Sequence, residues 1–332
     1  MNMKKTRFKN KPIILTLAVV LILQVFGIIL FFFYSKAKSE GEGLSKIVEQ
    51  SSKSQQDYSD GEDELSQQTE HESDNGNSSG SDSENDSGQS ETPNEQQAIN
   101  FDDPSANCPE VDLGLPPGPP GYKIDSADWA AYPTKISPVT KDPNDLLVLV
   151  NKKFQLPQDY EPEDLTDLGV TEVRGSSGKS GRQVIVDQLR SLGQAAKDDG
   201  IDLAVKSGYR SYDTQIATYN YWVSVEDGNE SEADKYSARP GHSQHQLGTT
   251  IDFTTNECGD CIGDNFTGTK AQAWLSQNAW RYGFALSYPI EGEFYTGYLP
   301  ESWHYRFIGV DNAACWKDSG LVLDSWLFQV GQ

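Results

Sequence analysis

Hydrophobic and polar positions divide the chain into three unlike stretches. Residues 13–34 form an uncharged run of mostly Ile, Leu, Val and Phe, with no polar period. About 20 apolar residues cross a bilayer core of roughly 30 Å, so this run predicts a membrane helix. Residues 35–107 are rich in Ser, Glu, Asp, Gln, Gly and Asn and have very few apolar positions. A dense apolar pattern first returns in "NDLLVLVNKKFQLP" (residues 144–157) and continues to the C-terminus.

Within this last part, residues 181–200 space Val184, Val186, Leu189, Leu192 and Ala196 near the helical period and end on Gly200. This predicts a helix with its stop signal. Residues 201–210 alternate as a strand, and residues 212–223 read as a second helix. A short strand over 249–253 carries Asp252, an amphipathic helix over 271–283 is stopped by Gly283, and two further strands fall at 284–288 and 303–309. Helices and strands do not alternate strictly, which predicts an α+β domain with a central antiparallel sheet flanked by helices. We place this single domain at 143–332, with a Pro/Gly-rich extension, residues 108–142, packed on it.

Charge changes the picture at the N-terminus. Lys4, Lys5, Arg7, Lys9 and Lys11 precede the apolar run, which assigns residues 1–12 to the cytoplasm and residues 13–34 to a single-pass anchor. Lys36 and Lys38 on the far side weaken the asymmetry. A cleaved signal peptide is the alternative. That pattern needs an apolar region of about 7–15 residues before a small-x-small site, and "FFFYSKAKSEG" offers no good one. The expected location is therefore the cell membrane, with the C-terminal domain extracellular. Residues 35–107 cannot bury enough apolar area to offset chain entropy, so a disordered, self-repelling spacer is expected. Much of the formal charge of -23 lies there, and the acidic balance says little about the folded part.

The four cysteines, Cys108, Cys258, Cys261 and Cys315, all follow the apolar run, and an oxidising exterior favours disulfides. Cys258-x-x-Cys261 also permits a zinc or redox reading, but a zinc ribbon needs a second such pair and the redox motif a different context. Of three possible pairings, Cys258–Cys261 with Cys108–Cys315 is the expected one.

The chain has four histidines, three of them in the domain: His242, His245 and His304. A catalytic zinc takes three protein ligands and keeps a fourth position open. His245 precedes Asp252 by seven residues with Gly248 between, so a loop can fold back and bring both to one ion. His304 opens a predicted strand, and Glu301 lies three residues before it, where a carboxylate could act as base toward an activated water. Each residue taken singly also has a plain structural reading, as a hydrogen-bonded histidine or a turn-capping acid.

Four segments in order then resemble one family: "SGYRSYDTQ" (207–215), "SQHQLGTTID" (243–252), "YGFALSYP" (282–289) and "GYLPESWHYRFIG" (297–309). They are similar to the VanY-type D-alanyl-D-alanine carboxypeptidases of the M15 peptidase family (M15B, with the LAS-type zinc peptidase fold). "LVNKKFQLPQDYEPEDL" also looks like the family's domain start. The resemblance implies one Zn2+ per domain, held by His245, Asp252 and His304. It implies Glu301 as general base and Arg210 as the catalytic cation that holds the peptide carboxylate or the developing oxyanion. Gln215 and Ser243 are implied as further polar substrate contacts, and His242 is a bystander. Among the aromatics Tyr209, Tyr295, Tyr298 and Trp303, Trp303 is the one expected to line the cleft and contact substrate. The family's commoner Glu-Pro-Trp-His is Glu-Ser-Trp-His here, and Thr249, Thr250 and Ile251 replace its usual small or apolar residues.

The function so implied is a zinc metallocarboxypeptidase that removes the C-terminal D-alanine from peptidoglycan stem peptides during cell-wall remodelling. An L,D-carboxypeptidase or stem-peptide endopeptidase of the same fold, or a non-catalytic zinc-containing binding module, are the alternatives. The expected partners are stem peptides and the membrane; no nucleic acid is expected, and the chain is expected to be a monomer.

Overall fold

A computed structural model describes residues 108–112 and 129–331. The expected cytoplasmic segment 1–12, anchor 13–34 and spacer 35–107 lie outside the described residues, as does residues 113–128 of the extension. Among the described residues no helix is long and apolar enough to cross a membrane.

Two small pairings precede the main sheet. Strands β1 (Ser137–Pro138) and β2 (Phe154–Gln155) run parallel, while β3 (Leu165–Asp167) and β4 (Ser180–Arg182) run antiparallel. Helix α1 (Val186–Asp198) follows, with Val186, Leu189, Leu192 and Ala196 as its buried stripe. Gly200, at φ +73°, then takes the left-handed conformation that ends a helix without a Cβ penalty. The helix predicted from residue 181 thus starts five residues late. The Ser180–Arg182 backbone pairs with β3 instead, and a 3-10 turn, Gln183–Ile185, makes the join. Val184, counted on the apolar face, is 43% exposed. Here tertiary pairing overrides the local period.

The central sheet is built from β5 (Ala204–Ser207), β6 (Thr250–Thr254), β7 (Phe284–Tyr288) and β8 (Glu301–Phe307), in the order β5-β6-β8-β7. Every neighbouring pair is antiparallel, as the α+β reading expects. Helix α2 (Tyr212–Val225) follows β5 and is capped by Ser211, whose side chain accepts from Thr214 N. Helix α3 (Lys270–Asn278) and the 3-10 turn after it end on Gly283 at φ +85°. Two C-terminal helices that the apolar pattern did not single out, α4 (Val310–Ser319) and α5 (Leu323–Val330), complete the domain.

Strands β6 and β8 are buried along their whole length, and their alternation sorts two chemically different faces. Ile251, Phe253, Trp303, Tyr305 and Phe307 join the main apolar core with the buried stripe of α1. The residues between them, Thr250, Asp252, His304 and Arg306, are buried and polar. The sheet therefore has one dry face and one face that carries chemistry.

Both expected disulfides are present. Cys108–Cys315 ties the first described residue to α4 across 207 positions, and Cys258–Cys261 closes a short loop after β6.

Candidate metal centre and cleft

Register places Asp252 of β6 directly opposite His304 of β8. His245 arrives from a 3-10 turn, Gln244–Leu247, whose N-cap Ser243 accepts from His245 N. Gly248 ends this turn at φ +67°, and a Cβ there would come within 2.9 Å of the Arg182 side chain. Glycine at this position lets the chain reverse into β6 and aim His245 and Asp252 at one point.

The ligand atoms of His245, Asp252 and His304 all lie within 4.8 Å of one another. His245 Nε2 is 3.1 Å from one Asp252 carboxylate oxygen, and His304 Nδ1 is 3.1 Å from the other. Nδ1 of His245 lies 2.6 Å from the Gly208 carbonyl oxygen, which only accepts, so Nδ1 carries the proton and Nε2 turns a lone pair to the site. His304 is arranged the other way round: Nε2 is 3.2 Å from Gln244 Oε1, leaving Nδ1 for the site. Glu301 Oε2 is 3.3 Å from that same Nδ1. The sequence reading put His304 at a strand start; it sits in mid-strand because β8 begins at Glu301.

Burial alone would raise the Asp252 pKa, but the facing His245 and His304 imidazoles outweigh it and hold the carboxyl far below the usual range. Burial lowers the His304 pKa, yet the Asp252 and Glu301 carboxylates prevail and push it up to about 9. Glu301 is raised, chiefly by burial. A buried carboxylate between two imidazoles calls for positive charge, which a proton on His304 provides in the absence of an ion. Two imidazole nitrogens and one carboxylate, with further room on the cleft side, are a donor set that suits a catalytic dication, and its binding would displace that proton.

The cleft over these atoms is lined by Arg210, Gln215, Ser243, Glu301, Tyr288 and Tyr298, among others. Arg210 Nη1 donates to Gln215 Oε1 at 3.2 Å, while Gln215 Nε2 donates to the Ala238 carbonyl at 2.7 Å. Gln215 is buried and has both ends of its amide engaged, so it braces Arg210 as well as lining the cleft. Trp303, expected as a substrate contact, is elsewhere. One residue from His304 on β8, it points to the opposite face and packs in the apolar core. His242 also stands apart: its Nδ1 is 2.7 Å from the Asn151 carbonyl oxygen, and its ring meets Tyr132 edge-on.

Two residues in contact with His304 escaped the sequence reading. Tyr288 lays its ring 4.8 Å from that of His304, and Gln244 contacts the His304 imidazole. Both lie inside motifs already singled out, but only cross-strand register shows which way they face.

Residues 179–310 match the VanY family, described as D-alanyl-D-alanine carboxypeptidase. The chain is 35% identical over 192 residues to the putative carboxypeptidase YodJ of Bacillus subtilis (strain 168), covering 57% of this chain and 70% of that protein. It is 32% identical over 188 residues to a D-alanyl-D-alanine carboxypeptidase of Enterococcus faecalis (strain ATCC 700802 / V583), covering 54% of this chain and 65% of the relative. Among solved structures, the LdcB LD-carboxypeptidase matches with a TM-score of 0.53 and 35% identity, over 57% of this chain and 88% of that one. The chain belongs to the VanY family of D-alanyl-D-alanine carboxypeptidases.

Proposed function

We propose that this chain is a zinc-dependent carboxypeptidase that removes the C-terminal D-alanine from peptidoglycan stem peptides outside the cell membrane, to which the apolar run 13–34 anchors it. The observation that carries this reading is the convergence of His245 Nε2, Asp252 and His304 Nδ1 on one point, with the Glu301 carboxylate beside it.

His245, Asp252 and His304 would hold the ion. Zinc, when bound, supplies Lewis acidity toward a carbonyl and makes water more acidic. Glu301 accepts the proton of the attacking water and returns it to the leaving amine. Its raised pKa brings it toward the range where one carboxyl can do both. Arg210, braced by Gln215, can hold the peptide's terminal carboxylate or the developing oxyanion through charge-assisted bonds. Tyr288, its ring tilted against that of His304, forms the cleft wall on that side.

Likeness to LdcB, called an LD-carboxypeptidase, favours a second reading in which the tetrapeptide stem is the substrate. Digestion of defined tri-, tetra- and pentapeptide stems, with products weighed, separates the two. D-alanine released from the pentapeptide supports the D,D reading; release only from the tetrapeptide moves the assignment to L,D; cleavage of none by the zinc-loaded chain removes the enzyme reading and favours a binding module.

A further inference from the structure

We propose that Gln244 is a positioning residue that fixes which nitrogen of His304 faces the metal centre; this rests on the zinc reading above. Gln244 is 1% exposed, at the start of the turn that carries His245, and reaches across to the two strands beyond β6. Ser287 Oγ on β7 donates to its Oε1 at 2.7 Å, and His304 Nε2 on β8 lies 3.2 Å from the same oxygen. A carboxamide oxygen accepts two such bonds with its two lone pairs.

The orientation of this amide decides the tautomer of His304. With Oε1 inward, Nε2 of the imidazole must carry a proton, so Nδ1 is the nitrogen that gives up its proton and offers a lone pair when a cation binds. With the amide turned over, its NH2 would meet Nε2, which would have to accept, and the ring proton would move to Nδ1. There it would point at Asp252 and Glu301 and block ligation. Ser287 biases the choice, because its hydroxyl already donates to the inward oxygen. Gln244 Nε2 is buried and has no hydrogen-bond partner among the described residues. Nothing on the amino side of the amide therefore holds this orientation, and the two donors that converge on Oε1 do.

The two histidines are thus fixed by different devices. His245 is set by the Gly208 backbone carbonyl, which cannot turn over. His304 is set by a side chain that can, and the Ser287 bond pins it. Partners of this kind behind a metal ligand typically change metal affinity by about 10–100-fold when removed.

The test uses the full chain with its disulfides intact and three variants: Gln244→Met, which keeps length and loses the acceptor; Gln244→Glu, which keeps an acceptor; and Ser287→Ala. Zinc affinity is read by competition with a chromophoric chelator, and the His304 tautomer by nitrogen chemical shifts in protein carrying 15N-labelled histidine. We expect Gln244→Met to weaken zinc by roughly 10–100-fold and to lose the Nε2-protonated signature. Gln244→Glu should stay close to wild type, and Ser287→Ala should fall between. Wild-type affinity in Gln244→Met, or equal loss in Gln244→Met and Gln244→Glu, would overturn the proposal, the latter because it would make packing rather than the acceptor responsible. Stem-peptide cleavage by the wild type is scored separately. A chain that binds zinc as predicted but cleaves no stem peptide would remove the enzyme reading and leave this inference standing.

Discussion

Asp252 and His304 are direct cross-strand partners on β6 and β8, and their side chains meet with Oδ1 3.1 Å from Nδ1. Because backbone register sets this pair, the carboxylate is presented to the site by the sheet itself. Asp252→Asn keeps the volume and the strand but removes the charge that two imidazoles face. Zinc affinity should fall by more than about 100-fold, since changes behind the ligands alone cost up to that much. Chelator competition measures it, and unchanged affinity would remove Asp252 from the ligand set.

Glu301 is buried and 3.3 Å from His304 Nδ1, close enough to serve the site without being one of the three converging ligands. Glu301→Gln preserves shape and hydrogen bonding but cannot take up a proton. Turnover of the cleaved stem peptide should drop by about 10²–10⁴-fold, with zinc stoichiometry unchanged. A variant that turns over like wild type would end the base assignment, whereas one that loses zinc would show that the carboxylate acts as a ligand.

The Cys108–Cys315 bridge closes a separation of 207 residues, while Cys258–Cys261 closes one of three. On the chain-entropy view, the long loop restricts the unfolded state far more. A paired Cys108→Ser, Cys315→Ser variant should lose roughly 2–5 kcal/mol of unfolding free energy in denaturant titration, and the Cys258, Cys261 pair distinctly less. Equal losses would mean that local packing around the bridges, and not loop closure, sets their worth.

What could be read from the chain followed from how local each signal is. Residues 284–288 and 249–253 read as short strands from local sequence, and strands β7 and β6 lie there, while Gly200 and Gly283 marked helix ends through their own backbone freedom. The start of α1 was misplaced because the partner of Ser180–Arg182 lies in β3, which no periodicity reveals. Trp303 illustrates the same limit at the site. Its neighbour His304 reaches the cleft, but a strand sends adjacent side chains to opposite faces, and Trp303 lands in the core; Glu301, two positions before it, reaches the cleft where the β7–β8 register shifts and strict alternation breaks. Gln244 was invisible for the converse reason: its meaning comes from Ser287 and His304, 43 and 60 positions away.

His242 offers a test of burial independent of the metal centre. Burial holds its pKa down at about 4, against 6.5 for a free imidazole, and its Nδ1 faces the Asn151 carbonyl. Between these two values the unfolded chain binds the proton and the folded chain does not. The stabilising contribution of the neutral ring is therefore complete above pH 6.5 and is lost as pH falls toward 4. A shift of this size corresponds to about 3 kcal/mol. His242→Gln keeps a polar side chain at this position but does not titrate. Burial pushes Asp324, which accepts from the Asn151 side chain, up to about 7, which gives the opposite pH slope, but that contribution is common to both proteins and cancels in their difference. The difference in unfolding free energy between wild type and His242→Gln should thus shift against wild type by about 3 kcal/mol from pH 7 to pH 4, as read by denaturant titration at each pH. A difference that stays flat across this window would mean that His242 takes up its proton inside the fold.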